Sequence, residues 1–205
     1  MAAPGGQAKS AESYETLGVK YLQEGRYDEA VTALTSAINL SRSTLGEDPP
    51  DALYSRYLAY SRSGHAADAI SDLERLVKVR EDRQYREELA VAYAKVGRRD
   101  DAIEQYRLLL QAHPDDAWIN QQVGFLYIRT GDYRKAAQAY EKAVNNRKQL
   151  TGTTLIADVY DNLGVAYHHL CWREEAIEAF KQAAALNPAY ATPLANAQRL
   201  NCQRQ

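Results

Sequence analysis

The chain repeats itself. A tyrosine recurs at Tyr21, Tyr60, Tyr93, Tyr127 and Tyr167, at intervals of 39, 33, 34 and 40 residues, and each copy brings the same companions. The first reads Leu17-Gly18, Tyr21, Gly25, Tyr27, Ala30, Leu34, Ala37, and the second Tyr60, Gly64, Ala69, Leu73. The third is Leu89-Ala90, Tyr93, Gly97, Ala102, Tyr106, Leu109, then Pro114. The fourth is Val123-Gly124, Tyr127, Gly131, Tyr133, Ala136, Tyr140, Ala143, and the fifth Leu163-Gly164, Tyr167, Cys171, Ala176, Phe180, Ala183, Pro188. Within each copy the apolar residues fall at helical spacing. Self-similarity at this period restricts the chain to a quasi-one-dimensional stack, in which each unit contacts mainly its neighbours. It also explains the excess of tyrosine, 15 against 2 Phe and 2 Trp. Nine of the fifteen are frame residues: the five above, Tyr106 with Tyr140, and Tyr27 with Tyr133.

Each recurrent residue type has a physical reason. Small residues at Gly18, Ala90, Gly124 and Gly164, and at Ala30, Ala69, Ala102, Ala136 and Ala176, let two helices approach closely. Large residues, such as Leu34, Leu73, Tyr106, Tyr140 and Phe180, fill the space to the next helix. Gly25, Gly64, Gly97 and Gly131 sit where the first helix of each pair should end, since glycine enters the left-handed region without steric cost. Pro114 and Pro188 should stop second helices. Departures are informative too. Arg56-Tyr57 stands where Leu-Gly is usual, so the second pair should be splayed or repacked. Cys171 replaces the turn glycine, and extra residues around Leu45–Pro49 and Thr151–Ile156 should lengthen second helices or loops.

The pattern resembles the tetratricopeptide repeat (TPR), a helix–turn–helix unit of about 34 residues, over residues 11–190. The resemblance implies an all-α fold, a right-handed superhelical array, or α-solenoid. Its units fall at about 11–44, 50–83, 83–116, 117–150 and 157–190. The longer units resemble those of kinesin-light-chain-like arrays. Residues 1–10, rich in Ala, Gly and Pro, read as a short flexible leader without a secretory pattern. Residues 191–205 begin with Thr192 as N-cap and Pro193 at the first helical position, and place Leu194, Ala197 and Leu200 on one face. They read as a capping helix or as part of a sixth repeat.

Chemistry is harder to find than architecture. Apolar residues make up 45% and charged residues 25% of the chain, values of an ordinary globular protein. The formal net charge of -2 lacks the basic footprint of a nucleic-acid binder. No apolar run approaches the roughly 18 residues that direct membrane insertion needs. Two cysteines, Cys171 and Cys202, are too few for a disulfide framework, and a cytoplasmic location is expected. There is no phosphate loop, zinc-protease helix or nucleophile elbow, so no catalytic residue, metal or cofactor is expected. His168-His169 with Cys171 comes nearest to a metal site. Adjacent helical side chains diverge by about 100°, so these read as helix-end histidines beside a substituted turn.

What remains is a binding surface. In TPR arrays the first helices line a concave groove, and the resemblance implies three tracks across it. The ninth position is apolar throughout: Val19, Leu58, Val91, Phe125 and Val165. The thirteenth is basic at Arg62, Lys95 and Arg129, flanked by Gln23 and His169. The fifth is mixed and leans acidic, with Glu15, Tyr54, Glu87, Gln121 and Asp161, and Trp118 adds aromatic surface. Two plainer alternatives stay open: apolar packing between first helices, and cations that complement helix C-termini. The carboxylate clamp by which some TPR domains hold chaperone tails has no counterpart, since its positions carry Glu15, Val19, Ser55, Gln84 and Glu88. The expected function is a non-enzymatic scaffold that binds a protein or peptide segment with apolar and acidic residues. The candidate partner-binding residues are Tyr54, Leu58, Arg62, Val91, Lys95, Trp118, Phe125, Arg129 and His169. A spacer or assembly module of a larger protein, as in bacterial envelope export or assembly machines, is the alternative. Self-association through an exposed repeat end is a further possibility.

Overall fold

The computed structural model describes residues 10–190, and these form ten α-helices with no strand among the described residues. First and second helices alternate. They are α1 (Ala11–Gln23), α2 (Tyr27–Leu45), α3 (Pro50–Ser63), α4 (Ala66–Val79) and α5 (Arg83–Lys95), then α6 (Arg99–Ala112), α7 (Ala117–Thr130), α8 (Tyr133–Asn145), α9 (Thr153–His169) and α10 (Arg173–Leu186). Short 3-10 turns occupy Arg147–Gln149 and Pro188–Tyr190. The leader expected at 1–10, Ser10 apart, and the terminal helix expected at 191–205 lie outside the described residues. The chain divides into two compact units, Met1–Arg98 with α1–α5 and Arg99–Gln205 with α6–α10. In the first unit each helix packs on the next, and α1 also meets α3; in the second the same holds, and α7 also meets α9.

The first helices end alike. In every copy the backbone N–H five residues beyond the recurrent tyrosine donates to that tyrosine's carbonyl: Arg26 to Tyr21, His65 to Tyr60, Arg98 to Tyr93, Asp132 to Tyr127 and Trp172 to Tyr167, each at 2.9 Å. This six-to-one bond needs a left-handed residue just before the donor. Glycine supplies it four times, whereas Cys171 adopts φ 59° with a Cβ that makes this region costly by about 1–2 kcal/mol. The extra residues near Leu45 extend α2 to 19 residues against 14 for α4. Those at 151–156 follow the second of the two expected courses, a longer connection, and do not lengthen the second helix. Second helix α8 stops at Asn145, and the additional residues enter the connection and the start of first helix α9. Leu150 is buried against the core there, which anchors the detour.

At two of the recurrent positions the tyrosine hydroxyl, which phenylalanine lacks, reaches a neighbouring pair. Tyr93 donates to Glu74 at 2.7 Å in the first unit, and Tyr167 donates to Glu141 at 2.8 Å in the second. Buried rings carry the packing while the hydroxyl is satisfied across the helix layer. Tyr140 differs. Its ring is fully buried but its hydroxyl meets no partner, and burial holds the phenol up. The corresponding residue of the fifth copy is Phe180. Tyr140→Phe should therefore raise stability by about 1–2 kcal/mol, by removing an unsatisfied polar group. Urea unfolding followed by circular dichroism reads this directly, and a loss of stability would count against the orphaned hydroxyl.

The second pair is repacked around an ion pair. Arg56, at 9% exposure, holds Asp72, at 1%, through two donors, Nε at 2.9 Å and Nη2 at 2.6 Å, and its Nη1 donates to Thr35 at 2.9 Å. The network continues outward: Arg75 approaches Asp72 at 3.7 Å and donates to Asp48, which also accepts from Arg42. The two guanidiniums, Arg75 foremost, hold the Asp48 carboxyl below its ordinary range. A leucine site has thus become a charged bridge from α3 to α4, reaching back to α2.

The first-helix faces as a candidate partner site

Within the first unit, α1, α3 and α5 supply the candidate residues. Leu58 and Val91 are half-exposed, and Arg62 and Lys95 are exposed in the last turns of α3 and α5. Neither cation forms an ion pair among the described residues. Tyr54 has closer company. Its hydroxyl donates to Glu88 Oε1 at 2.9 Å and accepts from Gln84 Nε2 at 3.0 Å, and the same Gln84 nitrogen reaches Glu88 at 2.9 Å. The Tyr54 ring lies 5.6 Å from Tyr57 and 5.4 Å from Tyr85. Burial and the Glu88 carboxylate push the Tyr54 phenol up to about 12. This α3–α5 link escaped the reading of single positions. The repeat period could have found it, because Tyr54 and Glu88 are 34 residues apart.

The amino-terminal half of the same face is negative. Glu15 is held above its ordinary range by burial first, then by Asp51 and Glu12. Glu12, Glu15 and Asp51 form no ion pair among the described residues, so the starts of α1 and α3 carry negative charge, whereas the last turns of α3 and α5 carry the unpaired Arg62 and Lys95.

Within the second unit, α7 and α9 carry the remaining candidates. Phe125 is 44% exposed, the only aromatic side chain among the described residues' large exposed hydrophobics. Arg129 is exposed in the last turn of α7 without an ion pair among the described residues. Trp118 is turned toward packing: its ring meets Tyr106 edge-on at 6.1 Å and lies against the core of the fourth and fifth pairs. His169 is exposed at its rim but stacks on Tyr133 at 3.9 Å with the rings 5° from parallel. Burial and the adjacent His168 keep it below its ordinary range. Asp161 has one buried oxygen without a partner, and burial with the Asp158 charge raises its carboxyl. Among the described residues no group of three His, Cys, Asp or Glu side chains could hold a metal ion, and no helix is long and apolar enough to cross a membrane.

Three models described as tetratricopeptide repeat match residues 10–51, 54–117 and 115–189. The chain is 27% identical over 207 aligned residues to Protein KINESIN LIGHT CHAIN-RELATED 3 of Arabidopsis thaliana, covering 89% of this chain and 32% of that protein. It is 24% identical to Lipopolysaccharide assembly protein B of Escherichia coli strain K12, over 80% of this chain and 43% of that one. The chain thus spans less than half the length of these curated relatives. Among solved structures, the MamA protein superposes with a TM-score of 0.69 at 21% identity, over 95% of this chain and 98% of that one. YrrB, described as a TPR protein with an unusual peptide-binding site, gives 0.71 at 18% identity, over 93% of each chain. Repeat matches from residue 10 to residue 189, on alternating first and second helices with a shared turn geometry, place the chain in the tetratricopeptide-repeat family.

Proposed function

We propose that the protein is a non-catalytic interaction scaffold, working in the cytoplasm, whose first-helix faces bind a protein segment carrying apolar and acidic residues. Leu58 and Val91 on one unit, and Phe125 on the other, meet the apolar residues. Arg62, Lys95 and Arg129 meet the acidic ones. The observation that carries this reading is the pairing of accessible apolar side chains with cations that no acidic side chain neutralises among the described residues. The half-exposed Tyr54 belongs to the face and is held by Glu88, whereas Trp118 and His169 shape it through Tyr106 and Tyr133. The test is selection of short random peptides on the protein, followed by binding measurements with the best of them. Acidic and apolar residues should be enriched. Reversing Arg62 and Lys95 to glutamate, or Arg129 alone, should weaken binding about tenfold or more, equivalent to about 1.4 kcal/mol, at unchanged helicity. Unchanged affinity in both variants would remove the cations from the site.

A second reading is favoured by the similarity to Lipopolysaccharide assembly protein B, which extends over 80% of the chain. In that reading the repeats are an assembly module of a larger envelope complex. Recovery of the protein with the envelope fraction of its native host would favour it, and recovery only in the soluble fraction would count against it.

A further inference from the structure

Glu88 is the anomaly of the first unit. Its Oε1 accepts from both Tyr54 and Gln84, and the Tyr57 hydroxyl also interacts with the carboxylate, yet the buried Oε2 has no donor in good hydrogen-bonding geometry. No cationic side chain pairs with it among the described residues, whereas the adjacent Glu87 is paired with Arg83. The carboxylate lies at the hydroxyl edge of an aromatic cluster. Tyr54 and Tyr57 are half-exposed, and Tyr85, packed on Tyr54, is buried. The same carboxylate charge, after burial, holds the Tyr57 phenol up as well. A negative charge half-removed from water and lacking a counterion is costly. Phenols that donate to a carboxylate also gain electron density in their rings, and electron-rich ring faces attract cations.

We infer that the Tyr54–Tyr57–Glu88 cluster on α3 and α5 seats a positively charged side chain, an arginine by preference, contributed by the segment that this face binds. The guanidinium packs against the half-exposed tyrosine rings, with the neighbouring Glu88 charge as its counterion. Arginine is favoured over lysine because its planar, weakly hydrated group stacks on aromatic rings. The inference rests on the scaffold reading and deepens it, because a segment with only apolar and acidic residues would leave Glu88 uncompensated. Arg62 lies eight residues beyond Tyr54 on α3, or about 12 Å along the helix axis. A bound segment would therefore carry its basic and acidic residues apart, and that separation would orient it.

Selection of short random peptides on the wild type and on Glu88→Gln tests this. Wild-type peptides should be enriched in arginine at one position. Replacing that arginine by alanine should weaken binding to the wild type about tenfold and to Glu88→Gln less than about twofold, the scale of a partly desolvated cation–aromatic contact. Replacement by lysine should fall between. If Glu88→Gln loses helicity, Tyr57→Leu serves in its place, with the same loss of arginine preference expected. Peptides that bind without a basic residue, or whose arginine matters equally to both proteins, would overturn the inference and leave the scaffold reading intact. Failure of any peptide to be enriched would overturn both.

Discussion

Replacing Asp72 by alanine is expected to destabilise the first unit by about 3–5 kcal/mol, because it strands the Arg56 guanidinium in the interior. Arg56 would keep only its bond to Thr35. Arg56→Leu should cost less, since Asp72 would still have Arg75 at 3.7 Å. The double variant Arg56→Leu with Asp72→Ala is the informative one. Leucine at this place recurs at Leu17, Leu89 and Leu163, and alanine at the place of Asp72 recurs at Ala33, Ala139 and Ala179. Packed apolar replacements of buried ion pairs are often neutral or stabilising, so the double variant should regain most of the loss. Urea unfolding of the four proteins closes the cycle. A double variant as unstable as Asp72→Ala would mean that the ion network organises α2, α3 and α4 beyond its own net energy.

Gly164→Val should cost about 2–3 kcal/mol and unfold locally. A Cβ at Gly164 would lie 2.6 Å from Phe180 Cε1 and 2.7 Å from Cδ1, closer than carbon atoms approach, and Phe180 is itself buried at 4% exposure. Overpacking of this kind costs about 1–3 kcal/mol, and valine adds a stiff χ1 within a helix. Gly164→Ala should lose less, because alanine regains about 1 kcal/mol of helix propensity. Units of a repeat array contact mainly their neighbours, so the loss should fall on α9 and α10. Amide hydrogen exchange should show lost protection in those helices with α7 little changed. Uniform loss through the second unit would instead show that its helices unfold together.

Much of the fold was legible because its rules are local. The period of the tyrosines, the small residues at Gly18 and Ala30, and the turn glycines each act within one helix pair, and the recurrent sequence displays each of them in at least four of the five copies. The partner-facing residues were legible only as tracks. Leu58, Val91 and Phe125 could be named, but whether Trp118 faced outward or packed on Tyr106 depended on a ring from another helix. The sequence showed Arg56 and Tyr57 as a break in pattern without saying how the break is healed. The charge on Arg56 is silent until Asp72, sixteen residues away, is brought within 2.6 Å of it.

The chain's order of residues therefore determined the helices, their ends and the identity of the faces, because hydrogen-bond geometry and helical spacing are settled within a few residues. Tertiary structure alone decided which polar groups find partners. Tyr93 and Tyr167 reach glutamates on earlier helices, Tyr140 reaches none, and Glu88 gathers two donors yet keeps one buried oxygen unmatched. Such outcomes turn on separations of an ångström between side chains on different helices, where desolvation and hydrogen bonding nearly cancel.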